Sequence, residues 1–267
     1  MVQSNFYDLI GFAPRHTEPR AGVPEVPGLG RLALFLDFDG TLVDIVARPD
    51  GVEVPSEVPR LLADLHARTQ GRTVIVSGRR IEDLTGFLPK FPGIMVGSHG
   101  AEVLENGKLW QHDAAGSDAL RCIRRTARTW AGEQPGVLLE EKPCSVVLHF
   151  RQAPERMASA DRFLNAIVEG TPGFKLHHAK MALEVHPADV SKRGAIERLL
   201  RRWPDSLPVA FGDDATDEGM FEAVNERGGL SVKVGPADTA ADWRLADPPE
   251  VRAALRRWID AADPERS

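Results

Sequence analysis

Short, mostly apolar runs that end abruptly in polar residues recur along the chain. Leu32 to Leu36, Thr73 to Val76 and Leu207 to Phe211 each have this form. Such runs are typical of strands buried on both faces of a parallel sheet, although a buried helical turn gives a similar pattern. Apolar residues at helical spacing follow the first two runs, in 55–68 and 81–88. This alternation predicts an α/β fold with a doubly wound, Rossmann-like parallel sheet.

A second pattern occupies the middle of the chain. Two helical segments, 119–131 and 156–168, are each followed by two apolar-rich strand segments. In one of these strands Val146, Leu148 and Phe150 alternate with polar neighbours, as in a strand that buries one face. We therefore expect a compact α+β unit whose sheet packs on its own helices with one face and can cover something with the other. The four predicted strands are 137–141, 145–151, 174–178 and 182–186.

The chain accordingly divides into a lead-in, a core and an insertion. Residues 1–29 contain four prolines among scattered charges, a composition that favours an extended or disordered segment. The core is predicted to consist of 30–115 and 188–267. Residues 116–187 are predicted to form an inserted cap domain.

Two carboxylates follow the first strand. Asp37 and Asp39 lie two residues apart, and Gly40 lets the backbone turn directly after them. Nearby carboxylates repel each other, and such a pair is tolerated where a cation or a shared proton compensates the charge. The pattern therefore favours a hard divalent cation, while a solvated acidic turn is the alternative for a short D-x-D motif alone.

Groups suited to anion binding occur at two further positions. Ser77 and Gly78 join the second strand to a helix start, where a hydroxyl and backbone N–H groups can bind an anion; a simple helix cap is the alternative. Lys192 lies at the start of another helix, where its charge is unfavourable unless an anion is near. An exposed lysine is the alternative there.

The third strand ends in four acids within six residues, in the string G-D-D-A-T-D-E. Helix capping needs one or two acids, so this number again favours a cation. The carboxyl ends of parallel strands lie at one edge of a sheet, where open α/β proteins bind ligands. We therefore expect convergence of Asp37, Asp39, Ser77, Lys192, Asp213, Asp214 and Asp217.

Two other polar features are less specific. His99 lies between glycines at a strand end, a position that suits either a site residue or a turn histidine. Helix 119–131 presents four arginines on one face. A nucleic-acid patch is conceivable, but a solvated outer face fits the acidic chain better, and we assign these arginines no function.

Composition limits the remaining possibilities. The chain has 267 residues and a formal net charge of -6, which disfavours a nucleic-acid partner. It has two cysteines, no apolar stretch of the ~18 residues that a membrane span needs, and no secretory pattern at its start. We therefore predict a cytoplasmic protein without membrane contacts, and we expect it to be a monomer.

The string D-F-D-G-T resembles the first signature of the haloacid dehalogenase-like (HAD) phosphohydrolases, and the later motifs match the other three signatures in order. The resemblance implies a HAD core with a C2-type cap, and a reaction in which Asp37 is the nucleophile and Asp39 the general acid and base. It also implies phosphoryl binding by Ser77, Gly78 and Lys192. The implied cofactor is Mg²⁺, with Asp37, Asp39, Asp213, Asp214 and Asp217 as its ligands or supporting residues.

The strings G-S-H-G-A-E, E-E-K-P-C-S-V-V-L-H-F-R and A-L-E-V-H-P resemble the trehalose-6-phosphate phosphatases, over about residues 31 to 235. The resemblance implies a sugar-phosphate substrate whose hydroxyls are bound by the cap. Pro143 and Cys144 depart from the usual small polar or glycine turn, which leaves the geometry of that turn open. The residues implied at the sugar or the phosphate are His99, Glu141, Lys142, Ser145, His149, Arg151 and Glu184.

Three alternatives share part of this pattern. A phosphatase for sucrose phosphate or mannosylglycerate phosphate would differ only in its cap contacts. A receiver-type signalling domain also gathers acids and a lysine around a phosphorylated aspartate, but it needs neither the second acid nor a lid. A phosphomutase would require a bisphosphate activator.

Overall fold

The computed structural model describes residues 18–26, 28–46, 51–179 and 181–262. In chain order its strands are β1 (Arg20–Ala21), β2 (Leu32–Leu36), β3 (Thr73–Val76), β4 (Ile94–Gly97), β5 (Glu102–Glu105), β6 (Lys108–Gln111), β7 (Leu138–Glu141), β8 (Val146–His149), β9 (Phe174–Ala179), β10 (Ala182–Pro187), β11 (Leu207–Gly212), β12 (Leu230–Val234) and β13 (Trp243–Leu245). The α-helices are α1 (Val58–Arg68), α2 (Ile81–Phe87), α3 (Asp118–Gly132), α4 (Met157–Glu169), α5 (Lys192–Leu200), α6 (Glu218–Glu226) and α7 (Pro248–Ala261).

The larger sheet has the strand order β1-β13-β12-β11-β2-β3-β4-β5-β6 within the described ranges. In this spatial order, each pair of neighbouring strands from β1 across to β4 is parallel. β5 and β6 extend the sheet beyond β4 as an antiparallel hairpin. The central strand β2 pairs at Leu36 with Ile75 of β3 and with Phe211 of β11. The residues that follow these three strands therefore lie at the same edge of the sheet.

Helices cover both faces of this sheet. Leu34 and Leu36 of β2 pack in a buried cluster with residues of α1, α2 and α7, whereas Phe35 packs on the other side with α5 and α6. Side chains of successive strand residues point to opposite faces, so both faces of β2 must be apolar. This arrangement explains the unbroken apolar run and is the doubly wound core that the sequence predicted.

The inserted region forms a second sheet with the order β7-β8-β10-β9, in which the strand pairs are antiparallel. Val146, Leu148 and Phe150 pack in one buried cluster with apolar residues of α3 and α4. Val147 and Glu184 form a cross-strand pair and belong to the opposite face. That face is the one left for contacts outside the unit. The exact limits of this region, 116–187, stay a prediction.

Most of the predicted lead-in, residues 1–29, lies outside the described residues. Where it is described, Arg20–Ala21 forms β1 at the edge of the sheet. The backbone carbonyl of Pro24 accepts a 3.0 Å hydrogen bond from Nε1 of Trp258. No helix in the described ranges has the length and apolar character needed to cross a bilayer.

Candidate active site

The ends of β2, β3 and β11 surround a cavity of about 320 Å³, which we call the acidic cavity. A larger cavity of about 650 Å³ lies beside β1 and α7, but a single described carboxylate, Glu250, lines it. Because ligands of open α/β sheets bind at the carboxyl ends of strands, we assign the site to the acidic cavity. Its lining consists of Asp37, Asp39, Ser77, Gly78, Arg79, Arg80, Asp83, His99, Glu140, Lys142, Lys192, Asp213 and Asp214.

Lys192 is the buried cation of this cavity. Its Nζ lies 2.8 Å from Oδ1 of Asp37 and 2.7 Å from Oδ1 of Asp217, and its side chain is only 3% exposed. Burial would lower the pKa of Lys192, but the carboxylates of Asp217 and Asp37 outweigh it and raise that pKa. Lys192 is therefore charged and not an exposed surface lysine, and its position at the start of α5 is stabilised by the two anions.

Asp217 organises the acidic loop after β11. It is fully buried, and its Oδ2 accepts the backbone N–H groups of Asp213 at 3.0 Å and Asp214 at 3.1 Å. Asp214 in turn accepts hydrogen bonds from the backbone N–H and the hydroxyl of Thr216, at 2.7 and 2.6 Å. These bonds fix the directions of the Asp217 and Asp214 carboxylates. The side chain of Asp217 does not cap its own helix. The acids of this loop therefore do more than cap the helix: Asp217 binds the loop backbone and Lys192.

Three carboxylates fit a metal ion. Asp37, Asp213 and Asp217 offer ligand oxygens that all lie within 4.8 Å of one another. Burial raises the pKa of Asp37 well above its usual value, and burial together with neighbouring carboxylates raises that of Asp213 to about 6. A divalent cation would relieve this repulsion, and carboxylate oxygens are the ligands that hard cations prefer. The site can therefore hold a metal ion.

Gly40 is required beside this group. Its backbone has φ +74°, in the left-handed region that favours glycine. A Cβ atom added here would overlap the carboxylate of Asp213. The turn after Asp39 therefore brings two loops together only because residue 40 has no side chain.

Ser77 and Gly78 form the second wall of the cavity. Ser77 is buried, and its Oγ accepts the backbone N–H of Arg79 at 3.1 Å, so its own hydroxyl hydrogen can point to a ligand. A Cβ atom on Gly78 would overlap the ring of His99. The small residue allows the imidazole to lie directly against the loop that lines the cavity.

Asp39 is held by Arg79. The guanidinium Nε lies 2.6 Å from Oδ2 of Asp39 and Nη2 lies 2.7 Å from Oδ1, a two-pronged contact. The same guanidinium lies over the ring of Phe87, 5.0 Å from its centroid. Sequence reasoning did not identify Arg79, although its place directly after Ser77 and Gly78 could have indicated it.

His99 stands on a left-handed turn. Ser98 and His99 have φ values of 49° and 55°, and the buried Glu102 accepts a 2.7 Å hydrogen bond from the hydroxyl of Ser98. Among the described residues, no group hydrogen-bonds to the buried Nδ1 of His99. Burial, together with the charge of Lys192, lowers the pKa of His99 to about 3. The imidazole is therefore neutral, and it is both a turn residue and a lining residue.

His99 and Lys192 also line a second cavity of about 220 Å³, which we call the histidine cavity. The two cavities share these lining residues and therefore lie next to each other. The remaining lining residues are Lys175, His177, Glu184, His186, Val190, Ser191, Ala215 and Thr216.

The cap contributes a polar group above the core. Nζ of Lys142 lies 3.5 Å from Oε1 of Glu184, and the hydroxyl of Ser145 donates to the same oxygen. Burial would raise the pKa of Glu184, but the charge of Lys142 and the Ser145 hydroxyl outweigh it and lower that pKa. Glu184 is therefore a carboxylate, and the group offers both donors and acceptors to a polar ligand.

Comparison with known proteins agrees with this geometry. The family model described as trehalose-phosphatase matches residues 35–249. The trehalose-6-phosphate phosphatase of Escherichia coli (strain K12) is 35% identical over 254 residues, which cover 94% of each chain. The chain belongs to the trehalose-phosphatase family.

Solved structures confirm the fold of this member of the family. A crystal structure of a trehalose-6-phosphate phosphatase related protein matches with a TM-score of 0.70 and 29% identity, covering 86% of this chain and 97% of that one. A haloacid dehalogenase-like hydrolase from Bacteroides thetaiotaomicron shares the fold, with a TM-score of 0.65 at 18% identity and 85% and 98% coverage. The predicted family and HAD-type α/β fold are confirmed, the protein is a phosphatase, and the receiver-domain alternative is excluded.

One residue of the cap differs from the expectation from sequence. Glu140 lines the acidic cavity, and His149 Nε2 lies 2.8 Å from its Oε2. The next residue, Glu141, faces away from the cavity and pairs with Arg128 at 2.6 Å. Strand side chains alternate, so Glu140 and Lys142 share the face toward the core and Glu141 cannot. Glu140 and Lys142 lie two residues apart, as residues on one face of a strand do, and this spacing could have indicated Glu140.

Arg151 is a second residue that the structure does not bring to either cavity. It follows the end of β8, is exposed, and is absent from the described lining of the acidic and histidine cavities. His149 lies outside that lining too, but it reaches the acidic cavity through its contact with Glu140. The structure therefore brings together the core residues that the sequence singled out. Of the cap residues expected at the sugar or the phosphate, it brings only some to the cavities.

Proposed function

We propose that this phosphatase hydrolyses trehalose 6-phosphate to trehalose and phosphate through an aspartyl-phosphate at Asp37. The observation that carries the proposal is the acidic cavity, where strand-end carboxylates and Lys192 face Glu140 and Lys142 of the cap. Phosphoryl chemistry and sugar recognition can thus take place in one space. The names of the relatives support this substrate, because the Escherichia coli protein is named for it.

Mg²⁺ is the metal that we propose for this site. The side chains of Asp37 and Asp213 and the backbone carbonyl of Asp39 would hold it, while Asp214 and Asp217 would orient the ligands. When bound, the ion supplies positive charge that lets an anionic carboxylate and an anionic phosphoryl group approach each other. The raised pKa of Asp37, caused mainly by burial, supports a need for this charge.

The chain's own residues carry the transfer in two steps. A carboxylate oxygen of Asp37 attacks phosphorus, the bond from phosphorus to the sugar oxygen breaks, and Asp39 gives that oxygen its proton. Asp39 then removes a proton from a water that attacks phosphorus, which releases phosphate and restores Asp37. Ser77, the backbone beside Gly78 and Lys192 hold the other phosphoryl oxygens, and Arg79 orients Asp39.

Recognition of the sugar is assigned to the cap face. Glu140, Lys142 and Glu184 offer charged partners for hydroxyls, and neutral His99 lines both the acidic and the histidine cavity. A site built from polar groups rejects ligands that leave those groups unpaired. The same argument favours a hydroxyl-rich substrate over a small generic phosphate ester.

The test is phosphate release from a panel of esters, with Mg²⁺ or with a chelator. We expect the highest kcat/KM for trehalose 6-phosphate, less for sucrose phosphate and mannosylglycerate phosphate, and little for 4-nitrophenyl phosphate. The chelator and Asp37→Asn should each abolish release. A higher kcat/KM for another sugar phosphate would refute the substrate, and full activity of Asp37→Asn would refute the mechanism.

We also propose that the enzyme acts as a cytoplasmic monomer on this small molecule, without nucleic acid or membrane. Cys122 and Cys144 are both free thiols, as in a reducing compartment.

A further inference from the structure

One arginine of helix α3 contacts the turn that carries the cap's polar group, and a second contacts the strand just before it. We call residues 142–145, which join β7 to β8, the cap turn. Nη2 of Arg124 donates to the backbone carbonyl oxygens of Lys142, at 2.5 Å, and Pro143, at 2.9 Å. Arg128 pairs with Glu141, just before the turn. The prediction that these arginines lie on a solvated outer face is therefore only partly correct, because Arg124 and Arg128 also contact other parts of the cap.

Arg124 differs from its neighbours on the helix. Arg121 and Arg125 are exposed, and their contacts are with nearby residues of their own segment, such as Asp118 and Cys122. The Arg124 side chain is 23% exposed, and its contacts reach 18 and 19 residues along the chain. Arg124 thus ties the helix to the turn, which its neighbours do not do.

The cap turn has little else to fix its shape from within. One backbone hydrogen bond closes it, from the N–H of Lys142 to the carbonyl of Ser145 at 3.0 Å, and Pro143 has no N–H to donate. On the core side, Cys144 is buried with Ala101 and Val190. The turn is therefore held between the core, through Cys144, and helix α3, through the Arg124 guanidinium.

The side chains at both ends of the turn meet Glu184. Lys142 lies 3.5 Å from Oε1 of Glu184, and Ser145 donates to the same atom. A shift of the turn would move both groups relative to Glu184 and to the acidic cavity. Misplacement of a positioning group by about 1 Å can change a rate by about 10²-fold.

We propose that Arg124 is a positioning residue for substrate selectivity: by binding two carbonyls of the cap turn, it holds Lys142 and Ser145 in line with Glu184. The inference rests on the proposed function, because it concerns the same sugar site. Arg124 touches neither the acidic nor the histidine cavity. Its effect must therefore be on binding of the sugar and not on phosphoryl transfer itself.

The test compares Arg124→Gln with Arg125→Gln, a matched change at the next, exposed position of the helix. For trehalose 6-phosphate, Arg124→Gln should raise KM about 10- to 100-fold, because charged hydrogen bonds to the turn are lost, with kcat within about twofold. Its kcat/KM for 4-nitrophenyl phosphate should stay that of the wild type. Arg125→Gln should match the wild type on both substrates.

Arg124→Lys provides the second variant, since it keeps the charge but lacks the planar fork. It should raise KM for the sugar phosphate while keeping the thermal midpoint of the wild type. An unchanged KM in Arg124→Gln, a wild-type KM in Arg124→Lys, or equal losses on the two substrates would overturn the proposal. If neither variant folds, Arg124 serves stability and the proposal is also overturned.

The wild-type panel separates this test from the proposed function. If the wild type prefers a sugar phosphate other than trehalose 6-phosphate, the proposed substrate is wrong and the Arg124 comparison is made on the preferred one. If no sugar phosphate has a higher kcat/KM than 4-nitrophenyl phosphate, the cap turn does not contribute to sugar recognition and both proposals fail.

Discussion

Glu140 and Glu141 are adjacent in β7 and face opposite sides of the cap sheet, which makes them a sharp test of the sugar site. Glu140 lines the acidic cavity and contacts His149 at 2.8 Å, whereas Glu141 pairs with Arg128 at 2.6 Å outside it. Alanine at either position removes the same carboxylate from the same strand. The two variants therefore compare the loss of a carboxylate that faces the acidic cavity with the loss of one that faces helix α3.

The expected sizes follow from these contacts. A hydrogen bond from a hydroxyl to a carboxylate contributes about 1.5–3 kcal/mol, so Glu140→Ala should lower kcat/KM for trehalose 6-phosphate by roughly 10- to 100-fold. The Glu141 and Arg128 side chains are 30% and 66% exposed. Exposed pairs contribute about 0.2–1 kcal/mol to stability, so Glu141→Ala should change kcat/KM by less than about twofold.

The assay is steady-state phosphate release from trehalose 6-phosphate and from 4-nitrophenyl phosphate for both variants. The ratio of the two kcat/KM values should fall in Glu140→Ala and stay that of the wild type in Glu141→Ala. A larger fall in Glu141→Ala would refute the assignment of cap faces. Equal falls on both substrates in Glu140→Ala would remove Glu140 from the sugar site.

Three further predictions concern stability. Lys192→Met removes the cation that pairs with the buried carboxylates of Asp37 and Asp217. The free energy of unfolding measured in urea should therefore fall by about 3–5 kcal/mol, and a fall below about 1 kcal/mol would contradict the buried pairs. Gly40→Ala and Gly107→Ala place alanine at nearly equal φ, +74° and +73°, but only at Gly40 does Cβ overlap another group. Both should unfold at lower temperature, and only Gly40→Ala should lose phosphatase activity; equal activities would refute the close approach. Burial lowers the pKa of His186 from 6.5 to about 4, so the unfolded state binds its proton first as the pH falls. Between pH 7 and 4 the wild type should lose about 3 kcal/mol more of its free energy of unfolding than His186→Gln. An equal pH dependence in the wild type and His186→Gln would contradict the burial of His186.

The core of the site could be predicted from the sequence because its geometry follows from the sheet. Asp37, Ser77 and Asp213 each come directly after an apolar run, and parallel strands bring the ends of such runs to one edge. Pairing of Leu36 with Ile75 and Phe211 sets these ends level. No side-chain detail is needed for that inference.

The cap could be predicted less well because its site depends on direction and on contacts between elements. Glu140 and Glu141 have the same chemistry, and only the register of β7 decides which one faces the core. Arg124 reaches the cap turn across the packing of a helix on a sheet, which periodicity along one helix does not reveal. Arg79 was missed because the sheet predicts that Asp39 and Ser77 lie at one edge, but it does not predict which neighbouring side chains form a pair there.

The transfer of the phosphoryl group to Asp37 is tested most directly by acid quench during turnover. Enzyme mixed with Mg²⁺ and trehalose 6-phosphate labelled in its phosphoryl group is denatured in acid within a single turnover and digested, and the peptides are examined by mass spectrometry. We predict a labelled phosphoryl group on Asp37 that appears before free phosphate and decays as phosphate is released. Full turnover with no labelled peptide, or with the label on another residue, would contradict the account.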